Sequence, residues 1–229
     1  MSNKTKPRFV IFHNEKELID VKKDIYILHR HLELVQDQLE NELNKIKKIK
    51  KELPKKREVK KLEKISRALD ENLIKEHETW LKNGVPQIVI NPFIVSAWSL
   101  YESVIKDFAS ILQKSKNIEK SIENADGRYF LKKAENYFNK TLKHPLHLTK
   151  ERNSELRLLN DIRNSIVHHY GKVSALRPKL KTQIQNNKIE GIRSIKENGK
   201  LVLSLKFAER GFEVVRNHIL TLLNKYQKI

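Results

Sequence analysis

Cysteine is absent from the 229 residues. That excludes disulfides, thiolate nucleophiles, iron–sulfur clusters and cysteine-ligated zinc, and it suits a reducing compartment. Glycine and proline are scarce, six each, so few breakers interrupt the chain and long helices are free to form. No apolar run approaches the ~18 residues of a membrane span, and Met1 to His13 lacks the apolar core of a signal peptide. The composition reads as a soluble, cytoplasmic protein with no membrane partner. Also missing are a glycine-rich phosphate loop, H-E-x-x-H, G-x-S-x-G and an EF-hand loop.

What the chain has in excess is positive charge. Lys and Arg number 47 against 28 Asp and Glu, a net charge of +19 with a pI near 9.9. Such an excess most often meets nucleic acid. It is uneven: residues 45–67 hold 12 basic and 3 acidic groups. Lys47, Lys48, Lys50, Lys51, Lys55, Lys56 and Arg57 are the densest part of this run. Two readings stand side by side, a solvated helix end and an arm that contacts RNA phosphates.

The fold class expected is all-α. Asn14 and Glu17 read as a capping box. Leu18, Val21, Ile25, Leu28, Leu32, Val35, Leu39, Leu43, Ile46, Ile49 and Leu53 follow at steps of 3 or 4, a coiled-coil-like seam. After Pro54 a second stripe runs Val59, Leu62, Ile65, Leu69, Leu73, Trp80 and stops at Gly84. The two stripes predict a long antiparallel helical hairpin over 14–84, with the basic run at its tip and residues 1–13 as a tail. Residues 85–229 form the second unit. Val85–Ile90 reads as an extended link, followed by a core helix from Pro92 carrying Trp98, Tyr101, Phe108 and Leu112. Helices are expected near 128–142, 149–170 and 207–227, with 172–187 basic and irregular. Asn198-Gly199 between apolar runs predicts a small β-hairpin insert at 188–205.

The nine histidines do not have metal-ligand spacing; His144, His147, His168 and His169 are the set weighed, and no metal or cofactor is expected. The densest polar constellation runs from Asp161 to Gly171. Asp161, Asn164 and His168 are spaced 3 and 4 and share a helix face. Arg163 lies five residues before His168, about 140° around the helix, so the two converge only if the long arginine side chain bends or if a second copy of the helix faces the first. His moves protons near neutrality and Arg matches phosphate oxygens. Together they suit RNA phosphodiester transfer, in which the 2′-hydroxyl is the nucleophile and the protein supplies proton transfer and charge stabilisation. A capped helix end with ordinary structural histidines is the plainer alternative.

Arg163-Asn164-x-x-x-His168 resembles the R-x(4–6)-H motif of the HEPN superfamily, helical domains that include many metal-independent endoribonucleases. The aromatic–acidic stretch Trp98-Ser-Leu-Tyr101-Glu102 on an earlier core helix, and a closing amphipathic helix, extend the resemblance over residues 92–229. The resemblance implies a HEPN-like helical bundle and a homodimer whose site forms where two motif helices meet. It implies His168 as general acid/base, Arg163 on the scissile phosphate, Asn164 positioning one of them, and Glu102 and His169 in support. The implied products are a 2′,3′-cyclic phosphate and a 5′-hydroxyl, in antiphage defence (abortive infection) or as a toxin. Arg163-x4-His168-x-Tyr170 is similar to the R-x4-H-x-Y form of toxins silenced by tyrosine adenylylation. That resemblance implies Tyr170 as a modifiable residue and an antitoxin or a noncoding RNA as regulator. Two rivals remain: a non-catalytic HEPN RNA-binding or scaffolding protein, and a helical module that docks a protein partner through 14–84.

Overall fold

A computed structural model describes residues 15–52, 61–195 and 199–226. The capping Asn14, Leu53, Pro54, Val59, the basic residues Lys55, Lys56 and Arg57, and Asn198 of the expected turn lie outside them. The described chain is all-α apart from one two-stranded antiparallel pair. Its helices are α1 (Glu15–Glu52), α2 (Lys61–Thr79), α3 (Asn91–Ser115), α4 (Phe130–Asn136), α5 (Lys150–His169), α6 (Pro178–Gln185) and α7 (Leu205–Tyr226). The strands are β1 (Ile192–Ser194) and β2 (Leu201–Leu203), with Ile192 opposite Leu203.

The core is built on α3. Its Ile94, Trp98, Tyr101, Ile105, Phe108 and Leu112 recur at helical spacing and are all buried. Leu156, Leu159 and Ile162 of α5 and Phe212, Val215, Ile219, Leu222 and Leu223 of α7 complete it. Three polar residues are buried among the described residues, Asn160, Ser165 and His218. His218 is fully buried between the Tyr101 hydroxyl, 3.0 Å from Nδ1, and the Leu146 carbonyl, 2.8 Å from Nε2. The carbonyl can only accept, so Nε2 carries the proton and Nδ1 accepts from the tyrosine. An 18-residue window of the continuous helix Ala68–Ser115 has a mean hydropathy of 1.4, which by length and composition matches a membrane span. Less than half of that window, 44%, is buried inside the fold.

The hairpin is present, but its second arm is not the expected one. Lys50 pairs with Glu78, His31 stacks on Phe93, and Asp20 and Asp24 share a cleft with Ser103 and Asp107. Numbers fall along α1 as they rise along its partner, so α1 runs antiparallel to residues 78–107. Ile25, Leu32 and Ile46 of the expected seam are buried there, and Leu28 packs against the core. Ile49 at the end of the seam is 47% exposed. Leu69 and Leu73 of α2 are 60% and 64% exposed.

The chain also does not become extended after Gly84. Residues 80–84 and 86–90 form wide π-type turns that join α2 to α3 without leaving helical geometry. No break in the backbone therefore marks the expected boundary at 84/85. Gly84 is needed for a different reason: a Cβ there would lie 2.8 Å from the Trp80 ring. Pro86 has no N–H to give, which leaves helix carbonyls one turn back unpaired. Arg193 of β1 answers this by donating from Nη2 to the Lys82 carbonyl (3.0 Å), while Gln87 donates to the Asn83 carbonyl (3.0 Å). The tract expected to be irregular at 172–187 contains α6, opened by Pro178 at its first turn.

Truncating the two arms separates these assignments. Leu32→Ala should lower unfolding free energy by about 2–5 kcal/mol, whereas Leu73→Ala should stay within about 0.5 kcal/mol, both read by denaturant titration. Equal costs would restore the shorter hairpin.

Candidate active site

The helix α5 starts at Thr149, whose Oγ1 accepts from the Arg152 N–H at 3.2 Å. It ends at Tyr170, in the left-handed conformation at φ 53°. The Gly171 N–H closes the end on the Ser165 carbonyl (2.9 Å), and the Ser165 hydroxyl donates to the Lys172 carbonyl (2.9 Å). The next residues then pair with the hairpin: Leu201 N–H donates to Gly171 O (2.8 Å) and Val173 N–H to Gly199 O (2.9 Å). The small sheet thus clamps the C-terminal end of the motif helix.

The motif residues separate as the helical period dictates. Arg163 is half-buried and donates from Nη1 to Asn164 Oδ1 at 2.9 Å. Asn164 donates onward to Asn160 Oδ1 at 3.4 Å, and Asn160 is buried. Asn164 is thus aligned with Arg163 and Asn160. Arg163 Nε is buried and without a partner among the described residues. His168 and His169 are exposed, their rings edge-to-face at 6.5 Å between centroids. Around them Val167 is 44% and Tyr170 82% exposed, which leaves the Tyr170 side chain open to solvent. Asp161, which shares a face with Asn164 by spacing, turns instead to Arg177, whose Nε donates to it at 2.9 Å. Burial pushes the Asp161 carboxyl up, against the opposing pull of Arg177 and Arg157.

Glu102 is only partly buried, bonded 3.0 Å from Lys106 one turn on. It lines a cleft with Arg128, Phe130 and Lys133, and neither Arg163 nor His168 is in that lining. Lys47, Lys48, Lys50 and Lys51 are exposed on the last turns of α1. Lys50 is committed with Lys82 to Glu78, whose carboxyl these two ammonium groups hold down at about 2. His144 and His147 lie in the loop before α5, and burial lowers both below the ordinary histidine value. His147 faces Lys225. Among the described residues no three His, Asp or Glu side chains gather as a metal site would require. The group that sequence spacing missed is His218. Its partners Tyr101 and Leu146 come from elements far away in the chain, and a lone histidine on an apolar stripe carries no signal of them.

No protein family, curated protein or solved structure matches this chain.

Burial lowers the His218 pKa from 6.5 to about 4. The unfolded chain therefore binds a proton between those values that the folded chain refuses, and stability falls as pH drops from about 6.5 to 4. The loss from this one group is roughly 3 kcal/mol. Melting curves across that range should show it, and His218→Gln, although less stable at pH 7, should show a flatter dependence. Parallel curves would mean that other groups carry the effect.

Proposed function

We propose that this chain is a metal-independent endoribonuclease of the HEPN type, acting as a homodimer, in antiphage defence or as a toxin. The observation that carries the reading is the split of the motif on one helix. Arg163 is half-buried and held by Asn164, while His168 stands exposed at the helix end beside Val167 and Tyr170. A single copy presents half a site and an apolar rim. A second copy packed on that rim would bring its own Arg163 toward the first copy's His168.

In such a site His168 takes the proton of the RNA 2′-hydroxyl and returns it to the leaving 5′-oxygen. The 2′-oxygen attacks the adjacent phosphorus, the P–O5′ bond breaks, and a 2′,3′-cyclic phosphate and a 5′-hydroxyl result. Arg163 contributes a fixed cation where the phosphoryl oxygens gain charge. Its hydrogen bond to Asn164, backed by the buried Asn160, removes the freedom that a surface arginine would lose on binding. The exposed lysines at the end of α1 add salt-sensitive attraction to the RNA backbone.

Purified protein should cut single-stranded RNA in EDTA and leave cyclic-phosphate ends. Arg163→Ala and His168→Ala should each slow cleavage by at least about 100-fold, with circular dichroism and melting unchanged for His168→Ala. A 2′-deoxy substitution at the cut position should block the reaction. Full activity in both variants would refute the site. RNA binding without any cleaved product would leave the non-catalytic HEPN reading.

A further inference from the structure

A second feature on the motif helix points to where the RNA lies. Next to Asn160, one turn before Arg163, a cleft of about 230 Å³ opens between the start of α4 and the flank of α5. Four cations line it: Arg128, Lys132, Arg157 and Arg177. Two carboxylates answer them. Glu135 pairs with Lys132 and Arg157 at 3.5 and 3.4 Å, and Asp161 with Arg177. The local balance therefore stays positive by two. Arg128 makes no ion pair among the described residues; its guanidinium lies 5.4 Å from the centre of the Tyr129 ring.

Tyr129 is the unusual member. It occupies the cap position before α4, where the backbone is still extended, and it is 42% exposed at the cleft's edge. The buried apolar residues of α4, Leu131 and Ala134, anchor the helix on the core, while the Tyr129 ring stays partly exposed with the Arg128 guanidinium over one face. A partly exposed aromatic ring with an arginine over one face and further cations beside it is a combination that holds single-stranded nucleic acid. The base stacks on the ring and the cations take the phosphates. A duplex buries its bases and has nothing to stack there.

We infer that the cleft bounded by Tyr129, Arg128 and Arg177 is a nucleotide subsite that stacks one base of single-stranded RNA on Tyr129. The inference takes the class of ligand from the ribonuclease reading above. Its position adds a consequence. Asn160 forms part of the cleft wall and also closes the hydrogen-bonded series from Arg163 through Asn164. A base seated in the cleft therefore sets the distance from the anchored nucleotide to the motif arginine, so cleavage should fall at a constant number of nucleotides from it.

The test is fluorescence anisotropy with a labelled, unstructured 12-nucleotide RNA on full-length protein carrying His168→Ala, so that binding is read without cleavage. Tyr129→Ala should weaken binding about tenfold, Tyr129→Phe should restore it, and Tyr26→Ala, an exposed tyrosine on α1, should leave it unchanged. Arg128→Gln should lower the slope of log affinity against log salt by about 0.7, the loss of one phosphate contact. Melting temperatures, expected to be unchanged because both side chains are exposed, separate binding from folding. The inference fails if Tyr129→Ala binds as tightly as its parent, or if it weakens a blunt RNA duplex as much as the single strand. The two readings also come apart. Loss of binding in Tyr129→Ala would support the subsite even if the unmutated protein cut no RNA. RNA cleavage abolished by His168→Ala, with Tyr129→Ala binding normally, would overturn the subsite and leave the nuclease standing.

Discussion

Burial of Leu156, Leu159 and Ile162 fixes the rotation of α5. These three face α3 and α7, and nearly every feature of the candidate site is a consequence of that choice. With the apolar stripe turned inward, Asn160 is drawn into the core edge, Arg163 is left half in and half out, and His168 is carried round to solvent. Five residues on a helix are about 140° of turn, so Arg163 and His168 leave α5 on different sides, one half-buried and the other exposed. The end of the helix is then made rigid twice, by the left-handed Tyr170 with the Gly171–Ser165 closure and by the β-hairpin pairing to 171–173. The geometry that keeps the two residues apart in one chain also holds each in a fixed place, as the proposed dimer requires.

The positive charge divides by the same logic. The lysines at the end of α1 are exposed and beside a helix C-terminus, where cations are favoured whatever the function, and Lys50 among them is paired with Glu78. The arginines near α5 are individually placed. Arg177 is tied to Asp161, Arg157 to Glu135, and Arg163 to Asn164. Arg193 works for the fold alone, covering the carbonyl that Pro86 strands inside the long helix. A net charge of +19 is thus partly exposed surface charge, partly paired side chains and partly backbone repair.

Much of the architecture was legible in the order of apolar residues. The stripes of α1, α3, α5 and α7 match the buried faces, and Asn-Gly between apolar runs marked the hairpin. The errors came from reading breakers locally. Gly84 signalled a stop, but the chain stays helical through it, and Arg193, more than 100 residues away, donates to the Lys82 carbonyl that Pro86 cannot reach. The apolar stripe of α2 looked like a hairpin arm, although α1 pairs further along with residues 78–107; periodicity reports that a face exists, not what covers it. Within the site, spacing alone separated Arg163 from His168. It could not find Asn160, whose role depends on Asn164 turning back toward the arginine, nor Tyr129, which comes from another helix. His218 was hidden for the same reason.

The central claim is that one active site is assembled from two chains, and mixing inactive protomers tests it most directly. Arg163→Ala protein and His168→Ala protein, each inactive alone, are combined at equal concentration, unfolded and refolded together, and assayed for RNA cleavage in EDTA. If each site takes Arg163 from one copy and His168 from the other, half of the dimers are mixed and each carries one intact site of two, so about a quarter of the activity of the unmutated protein should return. No recovery, with mixed dimers shown to form, would contradict the account.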